Sequence, residues 1–103
     1  MNKRLAMLEQ LVASGKADAF ARYALAMEYR KESRFEEALS AFRALRELDP
    51  EYLALYLMAG QLLIEHDRGA DAVEWLEQGL EVARRRGDQK ALSELQAALD
   101  EVT

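Results

Sequence analysis

Residues 19–52, AFARYALAMEYRKESRFEEALSAFRALRELDPEY, hold the pattern that decides the fold. Leu25, Ala26 and Tyr29 recur at the spacing of one helix face, and Phe35, Ala38, Leu39 and Phe42 repeat it further on. Such i, i+3, i+4, i+7 recurrence is helical, whereas a half-buried strand would alternate with period two. Between the two runs, Ser33 and Glu36 form Ser-x-x-Glu, which predicts a capping box at the second helix. Asp49-Pro50 closes the stretch and predicts a further helix opening on an N-cap and a proline at its first position, where the missing N–H costs nothing.

The same punctuation extends outward. Ser14-Gly15 stops a first apolar run and Asp18 caps the next; Asp67-Arg68-Gly69 and Gly87-Asp88 break the chain further on. The breaks predict helices over roughly 3–14, 19–31, 34–47, 51–66, 69–86 and 89–101. Leu55, Tyr56, Ala59, Leu62 and Leu63 mark one face of the fourth, and Ala91, Leu92, Leu95, Ala98 and Leu99 one face of the last. With connections this short, successive helices must run antiparallel.

An internal repeat sharpens the reading. Ala38 aligns with Ala72, and 72 − 38 = 34. At that offset Phe42 meets Leu76, Leu39 meets Val73, Tyr29 meets Leu63 and Ala26 meets Gly60. A two-helix unit with this period resembles the tetratricopeptide repeat family. Leu25-Ala26, Tyr29, Phe35, Glu37-Ala38, Phe42 and Leu48-Asp49-Pro50 stand at the family's spacing, and Tyr56, Gly60, Ala72, Leu76 and Leu80 carry a weaker second unit. The resemblance implies an all-α, right-handed stack of antiparallel helix pairs. Its parts would be a half-repeat helix over 1–17, repeats over 18–52 and 53–86, and a capping helix over 87–103. Small residues at Ala26, Gly60, Ala38 and Ala72 would let helices approach, with larger side chains filling the space around them. Some positions depart from the family pattern. Arg22 stands where a large apolar residue is usual, Gly69 replaces an aromatic, and Gly79 replaces a helix-favouring residue. Arg84 stands where proline is usual, so the fifth helix is expected to run on to Arg86.

In the family, the first helix of each unit lines a concave groove that takes a peptide or helix of a partner protein. Carried over, that groove comprises Phe20, Tyr23, Met27 and Arg30 from one unit and Leu57, Gln61 and Ile64 from the next, with Met58 at its boundary. The spacing independently puts Phe20, Tyr23, Met27 and Arg30 on one helical face. A homodimer closed by the same apolar surface, or by the first helix, is the alternative. The cationic set with which some family members hold a C-terminal carboxylate is absent, because Tyr23, Met27 and Met58 occupy those positions.

The remaining features narrow the function. The chain has 103 residues, 50% of them hydrophobic, with 14 basic residues against 19 acidic and a net charge of −5. That balance suits one globular domain and disfavours phosphate backbones, so no nucleic-acid partner is expected. There is no cysteine, hence no thiolate chemistry or disulfide. Glu9 and Gln10 interrupt the first apolar run, so neither a signal peptide nor a membrane span is expected there, and the cytoplasm is the expected location. His66 is the one histidine; Glu65-His66-Asp67 point in different directions and read as a solvated helix end rather than a metal site. No nucleophile elbow or phosphate-binding glycine motif occurs, so no enzyme and no cofactor is expected. Arg84-Arg85-Arg86 read as cations completing a helix dipole. Trp75 is expected to pack against the following helix.

Overall fold

Six helices carry the chain in the computed structural model, which describes residues 2–103: α1 (Lys3–Ala13), α2 (Ala19–Lys31), α3 (Phe35–Leu48), α4 (Ala54–Glu65), α5 (Gly69–Arg86) and α6 (Gln89–Asp100). No strand occurs among the described residues. The chain divides between Tyr52 and Leu53 into two compact units, the first built from α1, α2 and α3 and the second from α4, α5 and α6.

Three helices start on the same device. The side-chain oxygens of Asn2, Asp18 and Asp88 accept from the backbone N–H groups of Leu5, Ala21 and Ala91 at 2.9, 2.8 and 3.0 Å. Each satisfies a donor that the first helical turn leaves open. Four helix ends share a second device. The N–H groups of Lys16, Arg34, Arg68 and Asp88 reach back five residues to the carbonyls of Leu11, Tyr29, Leu63 and Ala83. In each case the residue before the donor has positive φ: Gly15, Ser33, Asp67 and Gly87. This is the Schellman ending, which needs one residue in the left-handed region.

The geometry corrects the expected capping box. Ser33, at φ 58°, closes α2 instead of opening α3, whose N-cap is Arg34 without a side-chain cap bond. With so short a connection, the chain can reverse only if one residue turns left-handed, and Ser33 holds that position. The left-handed region costs an L-residue roughly 1–2 kcal/mol, although Asp tolerates it better than most. Ser33→Gly should therefore raise the unfolding free energy by about 0.5–1 kcal/mol, after the extra freedom of glycine in the unfolded chain is subtracted. Asp67→Gly should gain less, and urea midpoints would measure both.

The start of α4 also differs from expectation. Pro50 lies in a turn, not in the helix, and α4 begins at Ala54. Proline keeps the preceding Asp49 out of the helical region (φ −146°, ψ 83°). The Asp49 carboxylate then accepts from Glu51 N–H at 3.2 Å and its carbonyl from Tyr52 N–H at 3.1 Å. These bonds belong to a turn, and the helix resumes only after it.

In the first unit, Leu5 and Leu8 of α1 pack with Ala24 and Leu25 of α2, flanked by Leu11, Val12, Ala21 and Tyr29. Ala26, Ala38, Leu39, Phe42 and Leu45 are fully buried. Among the described residues Glu28 is the one buried charged residue; Arg4 Nε lies 3.2 Å and Lys31 Nζ 4.0 Å from its carboxylate, and Asn2 Nδ2 donates to it at 3.5 Å. These contacts tie the start of α1 to the end of α2.

The second unit depends on glycine. A Cβ at Gly60 would stand 2.5 Å from Leu76 Cδ2, and one at Gly79 would stand 2.6 Å from Tyr56 Cβ and 2.9 Å from Leu95 Cδ2. Gly79, a departure from the family pattern in sequence, is thus the point where α5 is overlaid by α4 and α6. At Gly69, a Cβ would meet Val102 Cγ1 at 2.9 Å, so the chain after α6 packs where the family usually has an aromatic. The fifth helix does run to Arg86. Trp75 is buried, 5% exposed.

Candidate partner-binding faces

α2 presents its candidate residues unequally. Phe20 is 66% exposed, while Tyr23, Met27 and Arg30 are half-buried. Tyr23 does more than line a surface. Its ring meets Phe42 edge-on at 6.4 Å between centroids and Tyr52 at 5.4 Å. Burial raises the Tyr23 phenol above its ordinary range, Tyr52 adds to the rise, and the Arg30 cation opposes it. Tyr23 is therefore half committed to an aromatic cluster, and Phe20 is the freest apolar side chain on this helix face.

α4 buries Leu55, Tyr56, Ala59, Leu62 and Leu63 and leaves a second stripe over. Leu57, Gln61 and Ile64, one turn apart along that stripe, line a groove of about 430 Å3 whose other wall includes Ala97 and Ala98 of α6. Met58 is half-buried and does not line it. The part played by α6 was not legible in the sequence. Ala98 falls on the apolar face read for the last helix, but no spacing in the sequence shows that Ala97 and the glutamates beside it come to stand against α4.

A second furrow lies elsewhere in the first unit. It measures about 250 Å3, and Val12 of α1, Arg22 and Leu25 of α2 and Ala41 of α3 are among its lining. Arg22 Nε is buried there without a hydrogen-bond partner. Arg22, at the position where a large apolar residue is usual in the family, is thus among the lining of an open furrow.

Tyr29 joins all three helices of its unit. Its hydroxyl donates to Glu9 of α1 at 2.5 Å, and the Arg34 guanidinium lies 4.9 Å from its ring centroid. Arg34 also donates to Glu37 through Nε at 2.7 Å, which holds that carboxyl below its usual range. Arg68 and Asp71 repeat the pair at 2.9 Å, one repeat later. Burial first, then the hydrogen bond to Glu9 and the charges of Glu9 and Glu37, push the Tyr29 phenol up to about 12, with Arg34 opposing. A group whose folded value is raised adds stability below its unfolded value of 10.0 and loses it as pH climbs towards about 12. Urea midpoints followed across that window should fall more steeply for the native chain than for Tyr29→Phe, and Glu9→Gln should reduce the difference.

His66 is exposed at the end of α4, with Nδ1 3.0 Å from the Leu62 carbonyl. No group of three or more acidic or histidine side chains placed to hold a metal occurs among the described residues. No helix among them is long and apolar enough to cross a membrane.

A family model described as tetratricopeptide repeat matches residues 29–99. A crystal structure of a tetratricopeptide repeat domain protein from Salinibacter ruber is 45% identical, with a TM-score of 0.76 over 84% of this chain and 96% of that one. A solution structure of a tetratricopeptide repeat domain protein from the same organism is 46% identical, with a TM-score of 0.77 over 82% of this chain and 86% of that one. The solution structure of a Bordetella parapertussis protein is 31% identical, with a TM-score of 0.83 over 99% of this chain and 89% of that one. No curated protein matches the chain.

Proposed function

The chain belongs to the tetratricopeptide repeat family, whose domains are generally non-enzymatic protein-interaction modules, and on that premise we propose that it captures a peptide or helix of a partner protein on apolar faces of its units, that of α4 in the second and that of α2 in the first, each taken by itself. The carrying observation is the surplus on α4. After five of its side chains are buried, Leu57 and Ile64 still flank an open groove. Contiguous apolar surface beyond what the core needs is what an interaction site requires. Phe20 supplies an exposed aromatic anchor on α2.

The test is affinity capture from native extract with the intact chain, a Phe20→Ser, Leu57→Ser, Ile64→Ser variant, and a control altered at exposed Met7. Circular dichroism checks that each is folded. The triple variant should lose partners that the Met7→Ser control keeps. Retention of the same partners by the triple variant would remove the assignment. Sedimentation over a range of concentrations tests the homodimer; association abolished by the triple variant would give these faces to a second copy.

A further inference from the structure

We infer that the α4–α6 groove is built for a cationic amphipathic segment of a partner protein, one whose apolar side chains are flanked by lysine or arginine. The inference rests on the reading of α4 as a partner-binding face and adds the chemistry of what binds. Its floor and its rim differ in kind. Leu57 and Ile64 of α4, with the uncharged Gln61 between them and the small Ala97 and Ala98 of α6, leave a mostly apolar trough. Glu65, Glu94 and Glu101 border it, and no lysine, arginine or histidine is among its lining. All three carboxylates are exposed.

The wider charge distribution points the same way. Residues 2–52 carry nine basic and nine acidic side chains, whereas residues 53–103 carry five basic against ten acidic. The entire net charge of −5 therefore lies in the unit that owns the groove. Like charges at a rim repel wrong partners, and opposite charges steer right ones. An anionic lipid surface or a nucleic-acid backbone would be repelled here.

The groove's length sets the kind of occupant. Leu57 to Ile64 spans two helical turns, roughly 10 Å of rise. Glu94, Ala97, Ala98 and Glu101 run along a matching stretch of α6. A short amphipathic segment can lay its apolar stripe on that floor while its cations meet the glutamates on either side.

Two labelled peptides of equal length serve as probes: a helix-forming peptide with leucines on one face flanked by lysines, and its counterpart with glutamate at every lysine. Fluorescence anisotropy should show saturable binding of the first and none of the second. Glu65→Gln, Glu94→Gln and Glu101→Gln together should weaken binding about tenfold, each exposed pair contributing a few-fold, and should flatten its salt dependence. Leu57→Ser with Ile64→Ser should remove binding. If the glutamine variant binds undiminished while the serine variant does not, the apolar groove stands and the charge inference falls. Equal binding of the anionic peptide, or binding of neither, also overturns the inference. If the serine variant binds as the native chain does, the groove reading itself fails. Dimerisation of the chain that the glutamine substitutions abolish would assign the groove to a second copy and overturn a separate partner.

Discussion

Phe42→Ala is expected to lower the unfolding free energy by about 3–5 kcal/mol, measured as the shift in a urea unfolding curve. Phe42 is fully buried, so the substitution removes a whole ring from the core and leaves a cavity that its neighbours can only partly close. The loss reaches further than one side chain. The Tyr23 ring meets Phe42 edge-on, a geometry worth about 0.5–1.5 kcal/mol beyond area alone. Without Phe42, Tyr23 keeps only Tyr52 as an aromatic partner. Phe42→Leu retains much of the volume and should cost about 1.5 kcal/mol or less. A domain stable by roughly 5–15 kcal/mol would be left marginal by the alanine variant and intact by the leucine one. An alanine variant that loses less than about 1 kcal/mol would contradict the packing described.

Gly79→Ala should destabilise by about 1–3 kcal/mol, and its sign is the informative part. Within a helix, exchanging glycine for alanine normally gains close to 1 kcal/mol. Here the new methyl would stand 2.6 Å from Tyr56 Cβ, an atom that cannot move without its backbone, and 2.9 Å from Leu95 Cδ2. The overlap on both sides exceeds the gain in propensity. Gly60→Ala meets Leu76 at 2.5 Å, but those atoms belong to a leucine side chain that can change rotamer at some cost, so its loss should be smaller. Thermal midpoints rank the two. A stabilised Gly79→Ala would mean that α5 is not so closely overlaid.

The candidate surface was legible only where one helix sufficed to define it. Leu57, Gln61 and Ile64 recur at helical spacing, and they do line one groove together. Tyr23 fits the same periodic argument on α2, yet its ring is shared with Phe42 and Tyr52. Tyr52 arrives through the turn after α3, and no spacing within α2 could reveal it. Glu9 and Tyr29 are likewise partners from different helices.

The sequence by itself determined the helices, because apolar period, N-cap oxygens and stop signals act within a few residues of chain. It determined the repeat for the same reason, since Tyr29 and Leu63, or Ala38 and Ala72, stand at equal offsets in equal local settings. Only the tertiary structure decided that Ser33 ends a helix, that Pro50 lies outside one, that Gly79 is a point of close approach, and that α6 walls the groove on α4. Gly79 and the α6 wall depend on where a second segment of chain arrives, and an empty Cβ position acquires its meaning from that neighbour. At Ser33 and Pro50 the same residue types suit a helix start or a turn, and only the backbone path taken between two packed helices decides between them.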